Sequence, residues 1–190
     1  MSTDTTGDAT PAATPPVTGR DEFERALGEQ VAVEKQLTAF GDRVAARRRR
    51  LPMTPIEDHR FTGPDGPVTL GELFRGRPQL VLQSFMFHPD WEDGCPACSW
   101  AADNLPSRLD ALLEPKGIAF AMVSRAPIER LEAWRERRGW DHLTWVSSAG
   151  TTFHTDWGWT TDDQDQPGYT YLLRTPDGVF VTYRTRQRGT

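Results

Sequence analysis

The sequence predicts an α/β domain built around parallel central strands and preceded by a helical extension. Three observations carry that prediction. Leu80–Phe87 (Leu-Val-Leu-Gln-Ser-Phe-Met-Phe) and Ile118–Ser124 are nearly continuous apolar runs, as strands covered on both faces require. The segments after them are long enough for helical crossovers, and one opens at Pro127 and ends at Gly139, with Arg137 and Arg138 in its last turn. The chain closes on two β-rich runs either side of Pro176-Asp177-Gly178.

Taken in order, residues 1–20 are mostly Thr, Pro, Ala and Gly, too poor in large apolar side chains to offset ordering entropy, and read as a disordered tail. Residues 21–52 form the helical extension. Asp21 is the expected N-cap, Phe23, Leu27, Val33, Leu37, Phe40 and Val44 recur at helical spacing, and Arg47–Arg50 with Leu51-Pro52 end it. The folded domain, residues 53–190, opens with a hairpin over Phe61–Leu70 around Pro64-Asp65-Gly66. The strand at Leu80–Phe87 follows, then a loop from His88 to Gly94. A helix begins at Cys95-Pro96-Ala97-Cys98, with Trp100, Leu105, Leu109 and Leu112 on one side and an interruption at Pro106. After the strand at 118–124 and the helix from Pro127, a third strand spans Leu143–Ser148. Ala149–Gln166 reads as an acidic loop, and Tyr169–Arg174 and Val179–Thr185 make the final hairpin. The helical crossovers make the central strands parallel and their connections right-handed.

Composition narrows the function classes. The longest strictly apolar run, Ile118–Val123, is far short of the roughly 20 residues a membrane-crossing helix needs. A net charge of −5 argues against a nucleic-acid footprint over the whole domain, and Arg47–Arg50 reads as a cationic helix end rather than a nucleic-acid site. The N-terminus has no basic segment leading into an apolar one, so no secretory signal is read there and the cytoplasm is the expected compartment. In that reducing setting the spacing of the two cysteines matters more than their number.

Cys95 and Cys98 stand three apart where a loop enters a helix. That placement brings two sulfurs within bonding reach and points the leading one at unpaired backbone N–H groups and the positive end of the helix dipole. Both effects favour thiolate, so Cys95 is the expected nucleophile and Cys98 the resolving thiol, deeper in the helix. Pro96 suits the first helical position, where a missing N–H costs no bond. Asp90, Glu92 and Asp93 lie just upstream and are expected to oppose the dipole by disfavouring the thiolate. Two other readings of the pair stay open: metal binding, for which His59, His88, His142 and His154 offer no suitably spaced second pair, and two inert buried thiols. His88 is expected to shape the loop rather than act as a base. No cofactor is called for.

At this point the chain resembles the bacterial thioredoxin-like proteins grouped as domain of unknown function 899, often labelled dithiol-disulfide oxidoreductases. The resemblance runs from about Glu34 to Gly189. Its motifs are Arg48-Arg49-Arg50-Leu51-Pro52, the stretch from Phe85 to Ser99 that holds the cysteines, Val123-Ser124-Arg125-Ala126-Pro127, Arg137-Arg138-Gly139-Trp140 and Trp145-Val146-Ser147-Ser148. It implies a thioredoxin-like three-layer sandwich with the helical extension in front, Cys95 and Cys98 as the redox pair, and a proline facing them across the site. Pro167 is the matching residue and is expected to be cis. The chain has Gln83-Ser84 where the family tends to have Tyr-His, and it ends soon after its last predicted strand, so one sheet face is expected to lack a covering helix.

Three functions follow. The first is a thiol-disulfide oxidoreductase that reduces a protein or small-molecule disulfide and draws on an external dithiol reductant. The second is a thiol peroxidase. The Val123-Ser124-Arg125 strand end and the long loop before the cysteines resemble peroxiredoxins, although Cys95 takes the place their threonine holds relative to the peroxidatic cysteine. The third is a non-catalytic binding module, with the N-terminal helix and seven tryptophans as partner surface, a surface that leaves room for a homo-oligomer. Trp91 and Arg125 join Pro96 and Pro167 as candidates for the substrate groove. Most of the tryptophans are expected to be packed.

Overall fold

The computed structural model describes residues 14–186 of the chain. The first 13 residues of the predicted tail lie outside the described residues. The chain divides into two compact units between Arg50 and Leu51.

Among the described residues the first unit holds one helix, α1 (Arg20–Arg48), with Gly19 rather than Asp21 at the N-cap position and no side-chain cap. Asp21 and Glu22 lie instead in the first turn, where carboxylates complement the dipole, and Arg47 and Arg48 do the same at the other end. The helix therefore starts earlier than the cap preference of aspartate indicates.

The second unit holds an eight-stranded sheet in the order β1-β10-β9-β4-β5-β6-β2-β3. Its centre is parallel: β4 (Gln79–Ser84) pairs with β5 (Ile118–Ser124), and β5 with β6 (Trp145–Ser147). On one flank β9 (Gly168–Thr175) runs antiparallel to β4, followed by β10 (Gly178–Arg186) and the short β1 (Thr54–Pro55). On the other, the hairpin β2 (Arg60–Gly63) and β3 (Gly66–Thr69) joins through Thr62 opposite Ser147. β10 carries a bulge between Val181 and Tyr183.

Alternation along β5 sorts the core onto two faces. Ala119, Ala121 and Val123 face a cluster with Leu80, Leu82, Phe61, Phe74 and Phe153. Met122 and the half-buried Phe120 face the other, with Phe85, Phe87, Leu131, Trp140, Trp145 and both cysteines. The first cluster takes residues from α2 (Leu70–Leu73) and α6 (Phe153–Asp156), two short helices not predicted from sequence. α2 is closed by a capping box, Thr69 with Glu72. The second cluster packs against α3 (Pro96–Asp103), α4 (Leu109–Leu113) and α5 (Ile128–Arg138). Five of the seven tryptophans are buried or half-buried, Trp91 and Trp100 being the exposed ones.

Several elements are shorter or broken where sequence suggests continuity. β4 ends at Ser84 rather than Phe87, because the Met86 carbonyl accepts the N–H of Cys95 (3.0 Å) and turns the chain toward α3. The third strand is cut to Trp145–Ser147, since the Leu143 N–H is taken by the Trp140 carbonyl in a turn. The predicted helix beyond the cysteines stops at Asp103, where Asn104 caps α3 and Pro106 has no N–H to continue it. Trp100 and Leu112 accordingly point outward, and Cys98, Ser99 and Ala102 form the buried face. α5 is bounded as predicted: Pro127 takes the N-cap position and Gly139 ends the helix in the left-handed conformation at φ 69°.

The acidic stretch 149–166 is not a plain loop. Beyond α6 it folds into a small hairpin, β7 (Thr160–Thr161) and β8 (Gln164–Asp165), whose two-residue turn holds Asp162 and Asp163 at φ 49° and 57°. A primed turn of this kind needs two residues with positive φ, and an Asp-Asp pair does not advertise one as Asn-Gly does.

Candidate functional site

The site is assembled at the C-terminal end of β4 and the start of β9, where both meet α3. Cys95 is the N-cap residue of α3 and Pro96 its first helical residue, as the spacing requires. The Cys95 N–H is held by the Met86 carbonyl and its own carbonyl accepts the N–H of Ser99 at 2.9 Å, so the loop-to-helix junction is tied on both sides. Cys95 and Cys98 are 7% and 5% exposed, nearly equal, and both are free thiols. Pro96 and Ala97 between them face solvent.

The two sulfurs differ in chemistry rather than in exposure. The Cys98 S–H donates to the Cys95 sulfur, and the backbone N–H groups of Cys98 and Ala97 add to it. Against the opposing effect of burial, these bring the Cys95 thiol down to about 6. Cys98 is driven above the ordinary thiol range, first by that same hydrogen bond and then by burial. The Asp90, Glu92 and Asp93 carboxylates do not figure among the causes of the Cys95 shift, which corrects the expected opposition. Asp93 pairs with Arg137 at 3.2 Å, and the Asp90 N–H donates to His88 Nδ1 at 3.1 Å. His88 therefore carries its proton on Nε2, directed to Asp163 at 3.2 Å, and it serves the loop.

Beside Cys98 opens a cavity of about 160 Å³, lined by Gln83, Met86, Ala97, Ala101, Pro167 and Tyr169 among others. Pro167 thus meets the cysteine region from the β9 side, held there by the Ser84 hydroxyl, which donates to the Gln166 carbonyl at 3.0 Å. It is not cis: all peptide bonds among the described residues are trans, which corrects that expectation. Gly168 follows because nothing larger fits. A Cβ at that position would stand 2.1 Å from the Thr185 carbonyl oxygen of β10. The positions that depart from the family pattern are both used here, Ser84 as this anchor and Gln83 as a wall of the cavity. Gln83 is 4% exposed and its Oε1 has no hydrogen-bond partner in the protein. Burial holds the Tyr169 phenol above its usual range, so it stays protonated beside Cys98.

Met86, Ala101 and Tyr169 were not singled out from sequence, and Gln83 only as a departure from the family pattern. The alternation of β4, which places Gln83 opposite in face to Leu80 and Leu82, is the signal that marks it as a wall residue. Of the other groove candidates, Pro96, Trp91 and Arg125 do not line the cavity. Trp91 is 40% exposed in the loop, with its carbonyl taken by Arg130. Arg125 is bound to Asp163 at 2.9 Å and Asp165 at 3.1 Å, on the small hairpin. Among the described residues there is no cluster of three or more His, Cys, Asp or Glu able to hold a metal ion, and no helix is long and apolar enough to cross a membrane.

A sheet with a parallel centre and helices on both faces makes this a thioredoxin-like fold. The chain belongs to the family described as bacterial protein of unknown function (DUF899), whose model matches residues 12–190. Solved structures agree on the fold. Reduced Prx3 from Vibrio vulnificus superposes with a TM-score of 0.54 at 20% identity over 72% of this chain and 86% of that one. Peroxiredoxin Q from Xanthomonas campestris gives 0.54 at 14% identity over 73% and 87%. A hypothetical protein from Sinorhizobium meliloti 1021 gives 0.50 at 15% over 74% and 76%. No curated protein matches the sequence.

Proposed function

We propose that the protein is a thiol-disulfide oxidoreductase. The observation that carries this reading is the placement of two free thiols three residues apart at the start of α3, Cys95 at its N-cap and Cys98 within it, with the Cys95 thiol lowered to about 6 and Cys98 raised. The Cys95 thiolate attacks one sulfur of a substrate disulfide, forming a mixed disulfide and expelling the first thiolate. Bonding to Cys95 removes the negative charge that held the Cys98 proton. Cys98 then loses its proton and attacks the Cys95 sulfur, expelling the second substrate thiolate. The substrate disulfide is reduced to two thiols and the protein is left with a Cys95–Cys98 disulfide, which an external dithiol reduces again. The substrate is a protein or small-molecule disulfide, the setting the reducing cytoplasm.

The test is dithiothreitol-driven reduction of insulin. Turnover above the Cys95→Ser variant is expected, and equal rates refute the proposal.

A thiol peroxidase is the second reading, favoured by the peroxiredoxin names of the solved neighbours. Against it stands Arg125, committed to two carboxylates away from the cavity. Peroxide consumption by the reduced protein that is lost in Cys98→Ser, the position the peroxiredoxin comparison gives to the peroxidatic cysteine, selects the peroxidase.

A further inference from the structure

Helix α1 carries a self-complementary surface. Phe23, Ala26, Gln30, Val33, Leu37, Phe40 and Val44 follow one another at alternating spacings of three and four, the a and d positions of a heptad repeat, and all but Gln30 are apolar. The helix forms a unit by itself, and nothing within that unit covers the stripe, at whose centre stands Leu37. The helix also contains Gly28 and Gly41, each costing about 1 kcal/mol of helix stability relative to alanine. Both have open space where a side chain would project, so no close packing requires them. A single helix of this kind does not draw its stability from intrinsic propensity, so its apolar stripe calls for a partner.

The charges say which partner. Residues 20–34 of the helix hold five acidic side chains and two arginines, net −3. Residues 35–48 hold Lys35, Arg43, Arg47 and Arg48 against Asp42, net +3. A second copy laid antiparallel sets each acidic half on a basic half. A parallel pair would instead put Glu29 opposite the second copy's Glu34, and Arg43 opposite its Arg48, across the flanking g and e positions. We infer that α1 is a dimerisation helix that pairs antiparallel with the same helix of a second copy of this chain. The pairing is isologous and closes as a two-fold dimer.

Sedimentation equilibrium of the full reduced chain, from micromolar to a few hundred micromolar, is expected to show a species of twice 21.4 kDa. Leu37→Asp should weaken the dimer on the order of a hundredfold, because it places a carboxylate in the apolar seam. Circular dichroism checks that the sheet domain of that variant remains folded. Orientation is read in a Cys95→Ser/Cys98→Ser background by mixing Glu22→Cys with Arg43→Cys chains. An antiparallel pair yields the mixed disulfide between the two variants, whereas a parallel pair yields only like-with-like disulfides. A monomer throughout the range, as when α1 packs on its own chain, overturns the inference. So does a dimer indifferent to Leu37→Asp, or like-with-like cross-links.

Discussion

Removing the Cys98 side chain as Cys98→Ala tests the source of Cys95 reactivity. The Cys98 S–H is the first cause of the lowered Cys95 thiol, ahead of the two backbone N–H groups. A hydrogen bond to a charged group contributes about 1.5–3 kcal/mol, which at about 1.4 kcal/mol per pKa unit moves a thiol by about one to two units. From about 6 in the native protein, Cys95 should rise to roughly 7–8 in the variant. At pH 6 its thiolate population falls from half to between roughly a tenth and a hundredth. A more basic thiolate is the better nucleophile, with a Brønsted slope of about 0.4–0.5, so part of the loss is recovered. Alkylation by iodoacetamide, followed at Cys95 by peptide mass, should therefore be about two- to sixfold slower than native at pH 6 and about three- to eightfold faster at pH 9, where both are ionised. Cys98→Ser keeps an O–H donor and should move the inflection less. Rate profiles that do not cross, or a native inflection in the ordinary thiol range, refute the assignment of the S–H as the controlling donor.

Two further outcomes follow from the same geometry. Between about pH 6 and about 8.5 the unfolded chain keeps a proton on Cys95 that the folded reduced protein has lost, so stability should rise with pH by about 3 kcal/mol. Above that range unfolded Cys98 ionises while folded Cys98 holds its proton, and stability should fall again. Urea midpoints under reductant, with Cys95→Ser/Cys98→Ser as the level control, check both limbs; a native midpoint unchanged from pH 6 to 8.5 contradicts the account. Arg125→Ala leaves the Asp165 carboxylate, whose side chain is 2% exposed, without its cation and should cost about 3 kcal/mol. It should leave the Cys95 alkylation inflection in place, because Arg125 does not figure among the causes of that shift; a moved inflection would return Arg125 to the site.

The order of the main strands and helices and the location of the thiol pair were legible in the chain because both rest on local physics. Apolar runs at 80–87 and 118–124 read as buried strands whatever surrounds them. Pro127 and Gly139 bracket a helix through backbone geometry confined to a few residues. Cys95-Pro96-Ala97-Cys98 at a loop-to-helix junction needs only one turn to bring two sulfurs together.

What surrounds the sulfurs was settled by contacts between distant parts of the chain. Ser84 reaches across 82 positions to hold the Gln166 carbonyl, and with it Pro167, beside Cys98. Arg125 finds its carboxylates 38 and 40 positions away, on a hairpin whose Asp-Asp turn gave no local signal. The acidic loop seemed the natural antagonist of the Cys95 thiolate because it is near in sequence. The dominant influence is the Cys98 S–H, since hydrogen bonds act over about 3–4 Å and reward contact rather than sequence proximity. Periodicity and punctuation, being local, determined the architecture and the position of the chemistry. The environment that sets its reactivity came only from the folded arrangement of β4, α3 and β9.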